Sequence, residues 1–555
     1  MAESRLYEAF LHLSQHSVDS VQNGMGFTDW DVYMHVDRPI EDKLMVKMDE
    51  IDNVGGGIIL LVGSAGDGKS HLISRIKQMS DWDEHCFYND ATASSSPKKT
   101  AIDTLKEALV PFKDVNLKTT SEKLVLAINL GKLNSFIEDV SVKGEYTEIV
   151  NAALPLFEDD DYTPPIETQR VKVVDFSVNR AFEFHPSNRS EYPIEAPFLS
   201  SILEKVVAKS SSNPFYQAYL KDKESENRKK DPLLFNYELL SIPEVRHTIC
   251  MTIIEAIIRC KLNITPREFL DFIYSIVVYP RYSDYNEKRD FYEALLPTLL
   301  YCGAENTIQR AISSLDPLKH SSTEHDKQLS VLFTSYSIPK NYLSSEIRLP
   351  ELMIQRINEF YANNGRDIER TIKFVFRLNH LLSYHSEDSV YISYLSLLRG
   401  IFCNDTYVMQ NIYDVVSKAI PRHYGSYYSK NNMIPLNIQG GRYRMFANLQ
   451  LKPEPIISYY SEEFPSEFLL RFDMKWKFPD GSITLRMDYQ LYSYLVDLNK
   501  GKLALSYENE KDLSFSRFVR QLVEKCDCSD DITIIKSDSA VLTLTKTAFG
   551  NIQLQ

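Results

Sequence analysis

Apolar residues recur at helical spacing from about residue 36: Ile40, Leu44, Met48 and Ile51 share one face, and Pro39 suits a first helical position. Gly55-Gly56-Gly57 stops that pattern, and Gly57 to Val62 then reads GIILLV, wholly apolar. A short β-branched run with no polar face predicts a strand buried on both sides, the kind found in parallel sheets. A helical pattern follows from His71 to Ile76, then a strand pattern from His85 to Asp90. Lys99 to Phe112 again has helical spacing, with Ile102, Leu105, Leu109 and Phe112 on one side. Leu124 to Leu130 and Val171 to Val174 give a third and a fourth strand. Strands alternating with helices predict a parallel sheet with crossover helices.

Beyond Pro197 the pattern turns helical as far as about Leu397. Thr265-Pro266-Arg267-Glu268 has the form of a helix start, followed by the apolar face Phe269, Phe272, Ile273 and Ile276. Ile368 to Leu382 predicts another helix. From about Gly425 the chain changes once more. Ile483 to Met487 alternates like a strand, Tyr489 to Leu498 has helical spacing, and Ile532–Ile535 with Ala540–Lys546 predicts a hairpin. The expected architecture is an α/β core, a parallel sheet flanked by helices, followed by a helical domain and a small α+β C-terminal domain. Its segments are an N-terminal helical arm at 1–35, the core at 36–195, the helical domain at 196–420 and the last domain at 421–555.

The composition changes this picture only at its margins. The net charge is −14, which excludes a uniformly basic nucleic-acid coat and leaves room for a local basic face. The seven cysteines are scattered, as expected of reduced thiols in the cytoplasm, and Cys526-Asp527-Cys528 lacks the spacing of a zinc site. The segment after Met1 has no basic head and apolar block, so a secretory leader is not expected. No run approaches the ~18 apolar residues of a membrane span.

The chemistry is concentrated after the first strand. Gly63-Ser64-Ala65-Gly66-Asp67-Gly68-Lys69-Ser70 matches G-x-x-x-x-G-K-[ST], with His71 in the helical turn that follows. Six of the 19 glycines lie between Gly55 and Gly68, so an otherwise glycine-poor chain spends them at one place. Glycines let a backbone wrap with its N–H groups turned inward, and the next helix points its positive end at the same anion. In such a loop Lys69 reaches the β- and γ-phosphates and the Ser70 hydroxyl holds Mg²⁺. The α/β core is therefore expected to be a P-loop NTPase core, with ATP and Mg²⁺ as its ligands.

An acid is also needed to complete the metal shell. Asp90 closes the second strand and Asp175 the fourth, and Asp90 is preferred as metal partner and catalytic acid; no run of aliphatics followed by Asp-Glu occurs. Asn129 ends the third strand, where an amide can sense the γ-phosphate. Arg267, Arg366 and Arg370 are candidates for spreading transition-state charge. A restriction-nuclease core around Asp480, Leu503 to Tyr507 and Glu508 fails because Glu510 stands where a lysine is required. One aromatic-basic stretch, from Arg422-His423-Tyr424 through Tyr427, Tyr428 and Lys430 to Arg442-Tyr443-Arg444, has the composition of a nucleic-acid surface or of a loop packed on the last domain.

The blocks GSAGDGKSHL, FYNDAT with the following KKTAIDTL, and LVLAINLGKLNSFIE resemble the DptF (also written DndF) family of bacterial DNA phosphorothioation-dependent restriction systems. The resemblance is dense from Gly57 to Glu138 and thin afterwards. It implies a P-loop ATPase acting with companion proteins like DptG and DptH, in a defence assembly that restricts DNA lacking the host's backbone mark. Asp90 and Asn129 carry over as members of matching blocks. The alternative class is a nucleotide-gated scaffold or switch with little hydrolysis.

Overall fold

The computed structural model describes residues 4–14, 28–89, 101–139, 142, 144–157, 165–176, 181–228, 230–320, 323–334, 349, 354–355, 357–358, 368–423, 433–436, 443–448, 452–454, 456, 471–478, 481–502, 509–525, 531–536, 540–546 and 551–554. The chain forms two compact units. One comprises residues 1–182, 196–256 and 262–385, the other residues 183–195, 257–261 and 386–555.

The first unit is built on a four-stranded sheet: β1 (Gly57–Gly63), β2 (Phe87–Tyr88), β3 (Lys123–Asn129) and β4 (Val171–Asp175). The spatial order is β2-β3-β1-β4, and every pairing is parallel. β1 is buried along its whole length. Its alternate residues divide between two cores, as period-2 geometry demands. Ile58, Leu60 and Val62 join Leu105, Phe112, Leu133 and Phe136 on one face. Ile59 and Leu61 join Ile40, Leu44, Met48, Leu72 and Ile76 on the other. The apolar run therefore is a central strand because both of its faces are covered by helices. At the N-terminal edge of the sheet Arg170 donates to the carbonyls of Gly56 (2.8 Å), Thr120 (2.8 Å) and Val54 (3.1 Å), tying the helix end to two strand entries.

The helix Pro39–Val54 starts at the expected proline and buries the expected face. The helical part of this unit reuses the same device: the helices Pro197–Val207, Pro214–Lys223, Pro232–Leu240 and Pro266–Val277 all begin on proline, where the missing N–H costs nothing. Buried polar groups are satisfied within it. Asn236 donates to the carbonyls of Val277 and Ala294, both at 2.8 Å, and accepts from the Leu296 amide at 2.7 Å, joining three segments at one side chain. Arg377 pairs with Asp316 at 2.6 Å, both side chains nearly sealed from solvent. The N-terminal helix Arg5–Leu11 is anchored on Asp222, which accepts from the Ser4 hydroxyl (2.8 Å) and the Leu6 amide (2.9 Å).

The second unit carries the helices Ser389–Phe402, Thr406–His423, Tyr489–Asn499 and Asn509–Lys525 with three antiparallel sheets, the smallest being the pair Glu183–Phe184 and Ile194–Glu195. The hairpin Arg471–Phe478 and Gly481–Asp488 buries Phe472, Met474 and Trp476 opposite Met487, Leu485 and Ile483. The expected pair Asp531–Lys536 and Ala540–Lys546 is antiparallel, and it belongs to a larger five-stranded sheet with Tyr443–Asn448, Met433–Pro435 and Ile552–Leu554. Among the described residues no helix is long and apolar enough to cross a membrane.

Candidate functional site

The glycine-rich loop leaves the C-terminal end of β1 and enters the helix Lys69–Met79. Gly66 and Gly68 hold φ values of +89° and +91°, a left-handed conformation in which a Cβ is strained. Gly68 is the N-cap, so no side chain closes the helix end, and no acid occupies the first turn. The positive end of the helix macrodipole is thereby left for an external anion. Lys69 is the first helical residue; its Nζ donates to the Ser64 carbonyl at 2.6 Å, folding the cation over the loop. Burial lowers the Lys69 pKa, against the attraction of Asp67. The Asp67 carboxylate accepts from the Ser64 amide inside the same loop. Burial raises its pKa, opposed by that hydrogen bond and by Lys69 and Arg38, while the charge of Asp175 adds to the rise.

Gly63, Ser64, Ala65, Gly66, Asp67, Gly68, Lys69, Ser70 and His71 are thus one contiguous turn at the C-terminal edge of a parallel sheet, where ligands of open α/β sheets sit. The strand ends gather beside it. Asn129 lies opposite Gly63 in register, half-buried, and its Oδ1 accepts from the Lys132 amide at 2.9 Å as the N-cap of the helix Leu130–Glu138. Asp175 lies opposite Val62 on the other side of β1. The residue in contact with Ser70 is Asn89: the Ser70 hydroxyl donates to Asn89 Oδ1 at 2.9 Å. A search for an acid passes over this amide, although it immediately precedes Asp90 at the end of the same apolar-aromatic run. Asp90 itself lies outside the described residues.

Three further groups approach the loop from within the same unit. Arg38, at the N-cap of the Pro39 helix, donates from Nη1 to the Asp67 carbonyl at 2.9 Å. Its guanidinium lies 5.3 Å from the ring centre of Phe176 and 5.7 Å from that of Phe198, within the range of cation–π attraction. Burial lowers the Arg38 pKa, against Glu41 and Asp67. Thr265 caps the helix Pro266–Val277 and forms a reciprocal capping box with Glu268. A Cβ placed on Gly66 would stand 3.0 Å from Thr265 Oγ1 and 3.6 Å from Arg267 Cβ, so this helix start lies against the loop. The third group is His71 itself, whose Nε2 is 3.0 Å from His35 Nδ1. Its pKa is pushed down to about 4, chiefly by burial and then by the charge of His35.

Of the candidate arginines among the described residues, Arg267 is the one brought to the loop. Arg370 is exposed elsewhere in the helical part, paired with Glu293 at 3.3 Å, and Arg366 lies outside the described residues. The aromatic-basic stretch is only partly described. Arg422 is bound to Asn499, and buried His423 is bridged between the Tyr494 hydroxyl (2.7 Å) and the Ser516 hydroxyl (2.8 Å), which are packing roles. Tyr424, Tyr427, Tyr428, Lys430 and Arg442, with Cys526, Cys528, Asp480 and Glu508, lie outside the described residues. No protein-family model matches this chain, and no curated protein matches it.

Proposed function

We propose that the Gly63–Ser70 loop binds the phosphates of ATP together with Mg²⁺, and that the chain is the nucleotide-binding subunit of a bacterial phosphorothioation-dependent DNA-restriction assembly. The observation that carries the nucleotide reading is the strand–loop–helix geometry. Two left-handed glycines, an uncapped helix end, a folded-over lysine and a serine hydroxyl converge at the C-terminal edge of a parallel sheet. These donors fit a triphosphate and a hard cation. Lys69 moves from the Ser64 carbonyl to the phosphates, the first-turn amides bind oxygens, and Ser70 with Asn89 orients the metal side. Mg²⁺, when bound, neutralises charge on the β- and γ-oxygens. Arg267, on the helix start beside Gly66, is placed to add a second cation. Asn129 contributes an amide at the strand end next to Gly63. The restriction role and companions of the DptG and DptH kind rest on the sequence blocks that resemble the DptF family.

One observation favours the second reading, a nucleotide-gated switch with slow hydrolysis. The group touching Ser70 is a neutral amide, not a carboxylate, so the metal shell gains no charge from Asn89, and the acid is left to Asp90 or Asp175. Steady-state ATP turnover by the full chain, alone and with DNA and its companion proteins, separates the two. Turnover that rises in the assembly supports the ATPase reading. Tight binding with turnover unchanged by either addition supports the switch. Absence of binding to Mg-ATP refutes both.

A further inference from the structure

The orientation of a bound phosphate chain follows from the loop chemistry. Lys69 meets the β- and γ-phosphates and Ser70 the metal, so the terminal phosphate lies on the Asn89 side. His71 is one residue further along the helix, about 100° round its axis from Ser70, and its ring reaches the start of the Pro39 helix. There it meets His35. The two imidazoles lie edge to edge and nearly coplanar, with ring centres 5.3 Å apart and planes 20° from parallel, joined by a nitrogen-to-nitrogen hydrogen bond of 3.0 Å. His35 is clamped from its other nitrogen: Nε2 lies 3.1 Å from Asp37 Oδ1 and 3.2 Å from Glu41 Oε2. The His35 side chain is only 7% exposed, whereas His71 is half-buried and Asp37 is 93% exposed. Arg38, between His35 and Glu41 in sequence, reaches the loop at the Asp67 carbonyl and so joins this wall to the phosphate turn.

A ring held rigid by a second ring, itself fixed by two carboxylates, is more than packing of a helix start requires. Half-buried His71 presents a planar ring next to the anion turn, and exposed Asp37 offers a carboxylate beyond it that can accept from an exocyclic amine. We propose that His71 is the base-contacting residue of the nucleotide site and takes the purine ring, with His35, Asp37 and Glu41 as the residues that position it. This rests on the phosphate-binding reading above.

The test compares Mg-ATP with Mg-tripolyphosphate, which has the phosphates and no base, by calorimetry on the full chain. The wild type is expected to bind ATP the more tightly. His71→Ala is expected to weaken ATP about tenfold, the scale of one lost aromatic stack, and to leave tripolyphosphate within about twofold by the same reasoning. His71→Phe keeps the ring and is expected to restore ATP binding; His35→Ala removes the support and is expected to lower ATP affinity selectively. Equal loss of both ligands in His71→Ala, or unchanged ATP affinity, overturns the base subsite. Should that variant fail to fold, the wild type decides alone, because tripolyphosphate binding as tight as ATP also overturns it. Binding of neither ligand by the wild type is a different result: it refutes the phosphate reading, and the base subsite with it.

Discussion

On the proposed phosphate-binding reading, Lys69 and Asn89 are the side chains that decide the chemistry. Lys69→Ala removes the cation that the helix start brings to the phosphates, and such a loss costs ~10²–10³ in rate. In the free protein its Nζ donates to the Ser64 carbonyl, so the stability cost should stay near ~1 kcal/mol, that of one hydrogen bond. Retained ATP binding together with wild-type turnover in Lys69→Ala would contradict the phosphate role. Asn89→Asp makes the converse change by placing a carboxylate against the Ser70 hydroxyl. We expect it to lower the Mg²⁺ concentration needed for half-maximal nucleotide binding. A Mg²⁺ titration that superimposes on the wild type would show that Asn89 does not face the metal. Asp90→Asn should keep nucleotide binding and lose most Mg²⁺-dependent turnover; if Asp175→Asn does so instead, the fourth strand supplies the acid.

The helix starts and strand entries are where local rules meet the site. Thr265 is the N-cap of the helix that lies against Gly66 and is one half of its capping box. Thr265→Ala should cost ~1 kcal/mol, the usual scale for a lost cap, read as a lower thermal midpoint. Because the cap also adjoins the loop, nucleotide affinity should fall with it. The opposite edge of the sheet offers a control. Arg170 holds three backbone carbonyls there, and Arg170→Ala leaves them short of partners at ~1–3 kcal/mol for such groups. It should destabilise the protein while nucleotide affinity in the folded fraction stays at the wild-type value. A change in affinity would mean that strain passes along the sheet to the loop.

At the scale of the whole molecule, the charge of −14 sets the expectation. The chain alone should bind bare DNA weakly, with an affinity that falls steeply as salt is raised, and should cut none. Its action on DNA should need companions. Co-purification with the products of neighbouring genes, followed by cleavage of marked and unmarked DNA, is the measurement. Robust cleavage by this chain alone, or restriction that persists in cells carrying Lys69→Ala, would refute the assembly reading.

Periodicity and composition determined much of the core before any coordinates. An all-apolar run of six residues has no solvent face, and its shortness and β-branched content favour a strand covered on both sides; β1 is that strand. The glycine spacing and the lysine and serine after it located the turn, because few other residues tolerate the φ values found at Gly66 and Gly68. The proline at residue 39 and the Thr265–Glu268 signature marked helix starts that the structure keeps. These are local properties, written in neighbours along the chain. The tertiary structure decided what touches the turn. The Ser70–Asn89 contact spans 19 residues, Arg38 to Asp67 spans 29 and His35 to His71 spans 36. Arg267 reaches Gly66 only because the helical part folds back within the same unit. Nothing in the periodicity of any one segment encodes such distances. They follow from strand order and helix packing, which bring chain-distant residues to one edge of one sheet.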